Sequence, residues 1–145
     1  MPAATFVKFQ SFIDALGKGV HKLQASASGG HVFKVYLTNN TPDAATHVKK
    51  ADLAGITEQN GYAAADIQQG YSQTGGVGTM TATDVVFTAV NGSFGPFRYA
   101  VIYNDTPTTP DADPLLAYFD YGASVTTLEG ETFTVDFGDS LLTLS

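Results

Sequence analysis

The sequence predicts a mainly β protein, a β-sandwich or jelly roll of about eight strands with one N-terminal amphipathic α-helix. Three observations point there. A period of two runs through His31–Asn39 and through Phe97–Tyr103, where Phe97, Tyr99, Val101 and Tyr103 are set against Arg98, Ala100 and Ile102. The chain holds 18 threonines and 12% aromatic residues, side chains that suit a pleated, half-buried surface. Turn-forming residues interrupt the apolar stretches about every ten residues. With 145 residues and 15.2 kDa there is material for one compact core, so a single domain over 1–145 is expected, its helix near 5–24 and its β-rich body over 31–145.

The helix is predicted from Phe6, Phe9, Ile13, Leu16, Val20 and Leu23, whose three-four spacing marks one face of an α-helix. Thr5 is placed to cap it, Lys8, Lys18 and Lys22 lie off the stripe, and Ser26, Ser28, Gly29 and Gly30 end it. Gly17 and Gly19 each cost about 1 kcal/mol relative to Ala, so the stripe needs a partner: its own sheet or another subunit.

From His31 to Asn39 the period changes to two, with Phe33, Val35 and Leu37 set against Lys34, Tyr36 and Thr38, which predicts a half-buried strand. Thr41–Gly61 is a long excursion opened by Pro42, with Leu53 and Ile56 as anchors and Lys49 and Lys50 solvated; loops of this length are usually functional or hide structure. Tyr62–Tyr71 fits either an interrupted strand or a short helix around Ala63–Gln68. Gly75, Gly76 and Gly78 form a flexible loop; no lysine follows to reach a phosphate. Strands are then expected at Val77–Thr83, Asp84–Val90, Phe97–Tyr103, Leu115–Tyr121, Ser124–Leu128, Thr132–Phe137 and Ser140–Leu144, with Glu129, Gly130 and Glu131 as a hairpin connection.

Composition narrows the function classes. A net charge of −7 and a pI near 4.5 oppose phosphate-backbone binding, so no nucleic-acid partner is expected. No apolar run approaches the roughly 18 residues needed to span a bilayer, and the first residues lack the pattern of a secretory signal. Without cysteine there is no disulfide, thiolate metal site or thiol nucleophile. The charge is divided: residues 1–50 carry six of the seven basic groups with only Asp14 and Asp43, while residues 51–145 carry Arg98 against twelve acids. A basic front of this kind suits docking on an anionic surface, unless folding mixes the two halves in space.

No catalytic constellation emerges, and no enzyme, cofactor or metal is expected. Asn91, Gly92, Ser93, Phe94 and Gly95 lack the G-x-S-x-G spacing of a nucleophile elbow and fit an inter-strand turn. His21, His31 and His47 have no metal-ligand spacing. Asp105, Asp111, Asp113 and Asp120 could supply oxygens to a hard cation, but the EF-hand register is absent and Pro107, Pro110 and Pro114 stiffen a solvated loop. Pairing Asp120 with Glu129 or Glu131 as a glycosidase dyad finds no aromatic cleft to support it, since the chain has no tryptophan.

Four stretches, taken together and in order, resemble a family of small proteins encoded among the virion structural genes of tailed bacteriophages: Phe6–Leu23, ITEQNGY at Ile56–Tyr62, FGPFRYAVIYNDT at Phe94–Thr106, and YFDYGASVTTLEGETFTVDF ending at Phe137. The chain departs from that pattern in a longer Asn104–Pro114 loop and in Tyr118 and Phe119 where tryptophan is common. The resemblance implies a structural protein of the virion, made in the bacterial cytoplasm, that decorates the capsid and cements neighbouring major capsid protein subunits as a homo-oligomer, dimer or trimer. Candidate contact residues are Lys8, Lys18, Lys22, Lys49 and Lys50, with Tyr62 and Tyr71 as exposed aromatics. A tail or fibre component and a surface carbohydrate-binding β-sandwich are the alternatives.

Overall fold

A computed structural model describes residues 4–145. The protein is mainly β, 42% strand and 10% helical, with ten strands in three antiparallel sheets among the described residues and one α-helix. The strands are β1 (Thr5–Lys8), β2 (Phe33–Thr38), β3 (Ala65–Asp66), β4 (Gly70–Thr74), β5 (Val77–Thr81), β6 (Val85–Thr88), β7 (Phe94–Asn104), β8 (Leu115–Thr127), β9 (Thr132–Val135) and β10 (Leu142–Leu144). The helix α1 covers Gln10–Gly17. The main sheet runs β1-β8-β7-β2-β3, a second runs β10-β5-β4, and β6 pairs with β9.

The N-terminal expectation is corrected. Residues 5–24 do not form one helix: Thr5 is no cap but the first residue of β1, which pairs with β8 from Thr5↔Asp120 to Lys8↔Ala117. Phe6 and Phe9, the first two members of the stripe, therefore belong to a strand and to the helix N-cap, and the spacing that joined them to Ile13 was not helical. Inside α1 the buried side chain is Phe12, while Ile13 is 53% exposed. The helix stops at Gly17, and Gly19 turns the chain at φ 77°, a conformation that glycine adopts without strain.

The centre of the main sheet, β2 and most of β7, is buried on both faces, which corrects the half-buried reading of β2. Phe33, Val35 and Leu37 of β2 and Ala100 and Ile102 of β7 enter the larger core. Tyr36 of β2 and Tyr99, Val101 and Tyr103 of β7 enter a smaller core on the opposite face with Phe9, Leu53 and Leu115. The register of β7 with β8 slips between Ile102↔Ala117 and Tyr103↔Leu115, leaving Leu116 as an extra residue. The bulge lets Leu115 serve the smaller core and Leu116 the larger.

Other connections were foreseen in kind and differ in pairing. Tyr62–Tyr71 holds strand and no helix. Gly75 and Gly76, at φ 58° and 81°, are the turn of a two-residue β4–β5 hairpin, more defined than a flexible loop. Asn91–Ser93 turns between β6 and β7. Two expected strands merge into the 13-residue β8. The Glu129–Glu131 turn forms, with Glu131 N–H donating to the Leu128 carbonyl at 2.9 Å, yet the strand that follows pairs with β6 and makes no hairpin with β8.

Candidate functional site

The smaller core is where the long excursion and the acidic loop meet. Leu53, 2% exposed, anchors the excursion as expected, and its carbonyl accepts the Tyr36 hydroxyl at 2.7 Å. The Asp52 carboxylate accepts the N–H groups of Val48 and Lys49 and is held below its ordinary range by them. Lys49 bridges to Pro114, and Lys50 N–H donates to the Asp113 carbonyl at 2.9 Å. The excursion is thus stitched to the end of the Asn104–Pro114 loop.

Lys49 and Lys50 are accordingly only partly solvated, contrary to expectation, and both are engaged by other side chains. Lys49 Nζ lies 3.5 Å from Asp111. Lys50 Nζ sits 5.3 Å from the Tyr36 ring centre and 4.9 Å from that of Tyr103, a cation held over two aromatic faces. Lys34 pairs with Asp105 at 3.2 Å, Lys18 with Asp14 at 2.8 Å, and Arg98 reaches both oxygens of Asp120, which lowers that carboxyl. Two of these ion pairs, Lys34–Asp105 and Lys49–Asp111, join the basic front to the acidic remainder. Of the front's lysines, Lys8 and Lys22 alone make neither an ion pair nor a ring contact among the described residues.

Beside Lys50 lies a polar cavity of about 240 Å³ lined by Tyr36, Gly55, Ile56, Glu58 and Tyr62. Tyr62, foreseen as an exposed contact residue, is only 3% exposed. Its hydroxyl accepts the Leu37 N–H at 2.8 Å, and its ring packs against Phe87 and Phe94. Burial pushes this hydroxyl up to about 12 and moves those of Tyr36 and Tyr103 in the same direction. These phenols stay protonated at neutral pH, so Tyr36 and Tyr62 bring hydrogen-bonding hydroxyls to a cavity that also holds the Lys50 ammonium and the Glu58 carboxyl group.

A second polar cluster had no signal in the sequence, because its members lie far apart along the chain. The Asn104 amide nitrogen is 3.0 Å from His21 Nδ1 and 2.8 Å from His31 Nδ1. An amide NH₂ has two hydrogens, so it satisfies both rings when each carries its own proton on Nε2. His21 lies between Phe12 and Phe33, and its Nε2 finds no partner among the described residues. Burial, aided by nearby His31, lowers it to about 4.

Three apolar side chains stand exposed near the Leu128–Glu131 turn. Val86 on β6, Val90 just beyond it and Leu128 at the turn between β8 and β9 are 58%, 50% and 57% exposed. The signal was the alternation itself, since Val86, Thr88 and Val90 stand opposite the buried Val85, Phe87 and Ala89. Tyr71, 40% exposed, does lie on the surface as foreseen. Among the described residues no three His, Asp or Glu side chains gather as a metal site, and no helix is long and apolar enough to cross a membrane. No family model matches the chain, and no curated protein or solved structure matches it either.

Proposed function

We propose that this protein is a non-enzymatic structural component of a tailed-phage virion, a decoration protein that binds the outer capsid shell and bridges neighbouring major capsid subunits. In this reading the sheets pack as a sandwich-type body whose product is its surface. The supporting observation is how the molecule uses its charge: Lys34, Lys49 and Lys50 lie against aspartates and aromatic rings, while Val86, Val90 and Leu128 stand exposed. Exposed apolar side chains of this kind become binding surfaces where they form a contiguous patch, which is how this reading uses them. A subunit that binds only the assembled shell stabilises it by mass action at every copy. The resemblance to virion proteins supplies the location.

The ion pairing changes one expectation. A basic front docking on an acidic shell would detach as salt rises, but with most front lysines engaged, attachment should persist above 0.1 M salt, where the Debye length is about 10 Å. The test compares particles with and without the protein under heat or osmotic shock. Earlier DNA loss from particles lacking it supports cementing, whereas equal retention overturns it. Density for the protein found on the tail alone would end the capsid assignment in favour of a tail component.

A further inference from the structure

We infer that β4 is a self-association edge, on which a second copy of this chain adds its own β4 antiparallel about a two-fold axis at Ser72. β4 pairs with β5 alone and lies at the edge of its sheet. Tyr71, Ser72, Gln73 and Thr74 are all exposed, so the strand stands clear of the core on both faces. Natural edge strands are usually blunted by a charge, a proline or a bulge. This one has none: no charged residue and no proline occurs between Asp66 and Asp84, and its register with β5 is unbroken from Gly70↔Thr81 to Thr74↔Val77.

Backbone alternation selects the pairing. The two-residue turn makes Thr74 and Val77 a doubly bonded pair, and Ser72 with Thr79 is the next. Tyr71 and Gln73 therefore point their N–H and C=O groups away from β5, toward the open edge. With two copies antiparallel about Ser72, Tyr71 of each faces Gln73 of the other, and about four main-chain hydrogen bonds close. Ser72 then faces its own symmetry mate in a non-bonded pair.

The occupant follows from charge and symmetry. Two molecules of net charge −7 repel, and this uncharged segment is where they approach at least cost. A two-fold pairing is also self-complementary, as an isologous contact requires. The Tyr71 ring already lies across Gly78, where an added Cβ would meet its hydroxyl, which stiffens the strand before a partner arrives. The inference rests on the homo-oligomer part of the reading above and is independent of the capsid.

Sedimentation of the free protein decides it. Few side-chain contacts predict a weak dimer, on the order of 10 µM, so the mass should rise from 15.2 kDa toward twice that value as concentration increases. Ser72→Asp sets like charges face to face and should weaken the dimer at least tenfold, as should Ser72→Lys, while an equimolar mixture of the two restores it. That rescue also shows that both variants fold. Gln73→Pro removes an outward N–H that β5 does not use and should abolish the dimer without changing the circular dichroism. A monomer up to about 1 mM, a dimer indifferent to these changes, or a mixture that fails to associate would each overturn the edge. A dimer of this kind on a protein that leaves particles unstabilised would keep this inference and remove the cementing role.

Discussion

The Asn104–Pro114 loop and the β4–β5 hairpin are connections made from opposite materials. The loop carries Asp105, Asp111 and Asp113; the first two meet lysines from the first half of the chain, and the third receives the Lys50 N–H on its carbonyl. The hairpin carries no charge, and its outer strand has an open edge. The difference teaches that charge serves here chiefly to fasten one part of the chain to another. The β4 edge, proposed above as the self-association surface, is uncharged. A segment rich in carboxylates, read without its partners, invites a metal or an acidic docking surface; with them, it is a clasp.

The largest expected effect separates the two regions directly. Leu53→Ala empties a site that is 2% exposed beneath the stitched excursion and should cost about 2–5 kcal/mol. Val77→Ala trims a comparable group from the hairpin, where Val77 is 40% exposed, and should cost less than about 0.5 kcal/mol. Chemical denaturation of both variants measures the gap. Equal losses would mean that the hairpin is as fastened as the loop, and the contrast would fail.

Particular residues show how far this arrangement was legible. The strands β2 and β7, the in-and-out alternation of β6 and the anchoring role of Leu53 were readable, because period-two patterning and a lone leucine in a polar stretch are local signals, whereas the double burial of β2 was not. The N-terminal stripe misled because Phe6 in β1 and Phe9 at the cap happen to continue the spacing of Leu16 and Val20. Thr5-Phe6-Val7 was the competing strand signal. Pairing was not readable: nothing local in Thr132–Val135 says that it meets β6 instead of β8, or that Lys34 finds Asp105. Tyr62 was misplaced because a tyrosine is equally at home on a surface and in a core that supplies a donor, here the Leu37 N–H.

The next effect probes the clasped end through pH. Asn104, the first residue of the loop, holds His21 and His31 together. His21 is lowered to about 4 in the folded protein from 6.5. Above pH 6.5 it is neutral in both folded and unfolded states and contributes no pH dependence. As pH falls toward 4, the unfolded chain binds a proton that the folded one refuses, so up to about 3 kcal/mol of stability is lost across that window. His21→Phe should reduce this slope and leave the share of His31, which burial also lowers, while Asp120, held low by Arg98, acts at lower pH. Thermal melts between pH 7 and pH 4 provide the measurement, and an unchanged slope in the variant would remove His21 as its source.

The smallest effect tests whether fastening by charge is energetic or chiefly positional. Lys34–Asp105 and Lys49–Asp111 are partly exposed pairs, with side chains 32–41% accessible to solvent. Pairs of this kind contribute about 0.2–1 kcal/mol each, because water screens the attraction and two long side chains lose freedom. A double-mutant cycle on Lys49→Met and Asp111→Asn isolates the coupling from any loss of packing by the lysine stem. A coupling within that range, falling further when salt is raised, would mean that the ion pairs choose where the loop lies and the main-chain bonds of Lys50 and Leu115 keep it there. A coupling above about 2 kcal/mol would place the pair among the strong, desolvated kind. The hairpin comparison would then have to be rewritten, with charge as a main source of stability in this region.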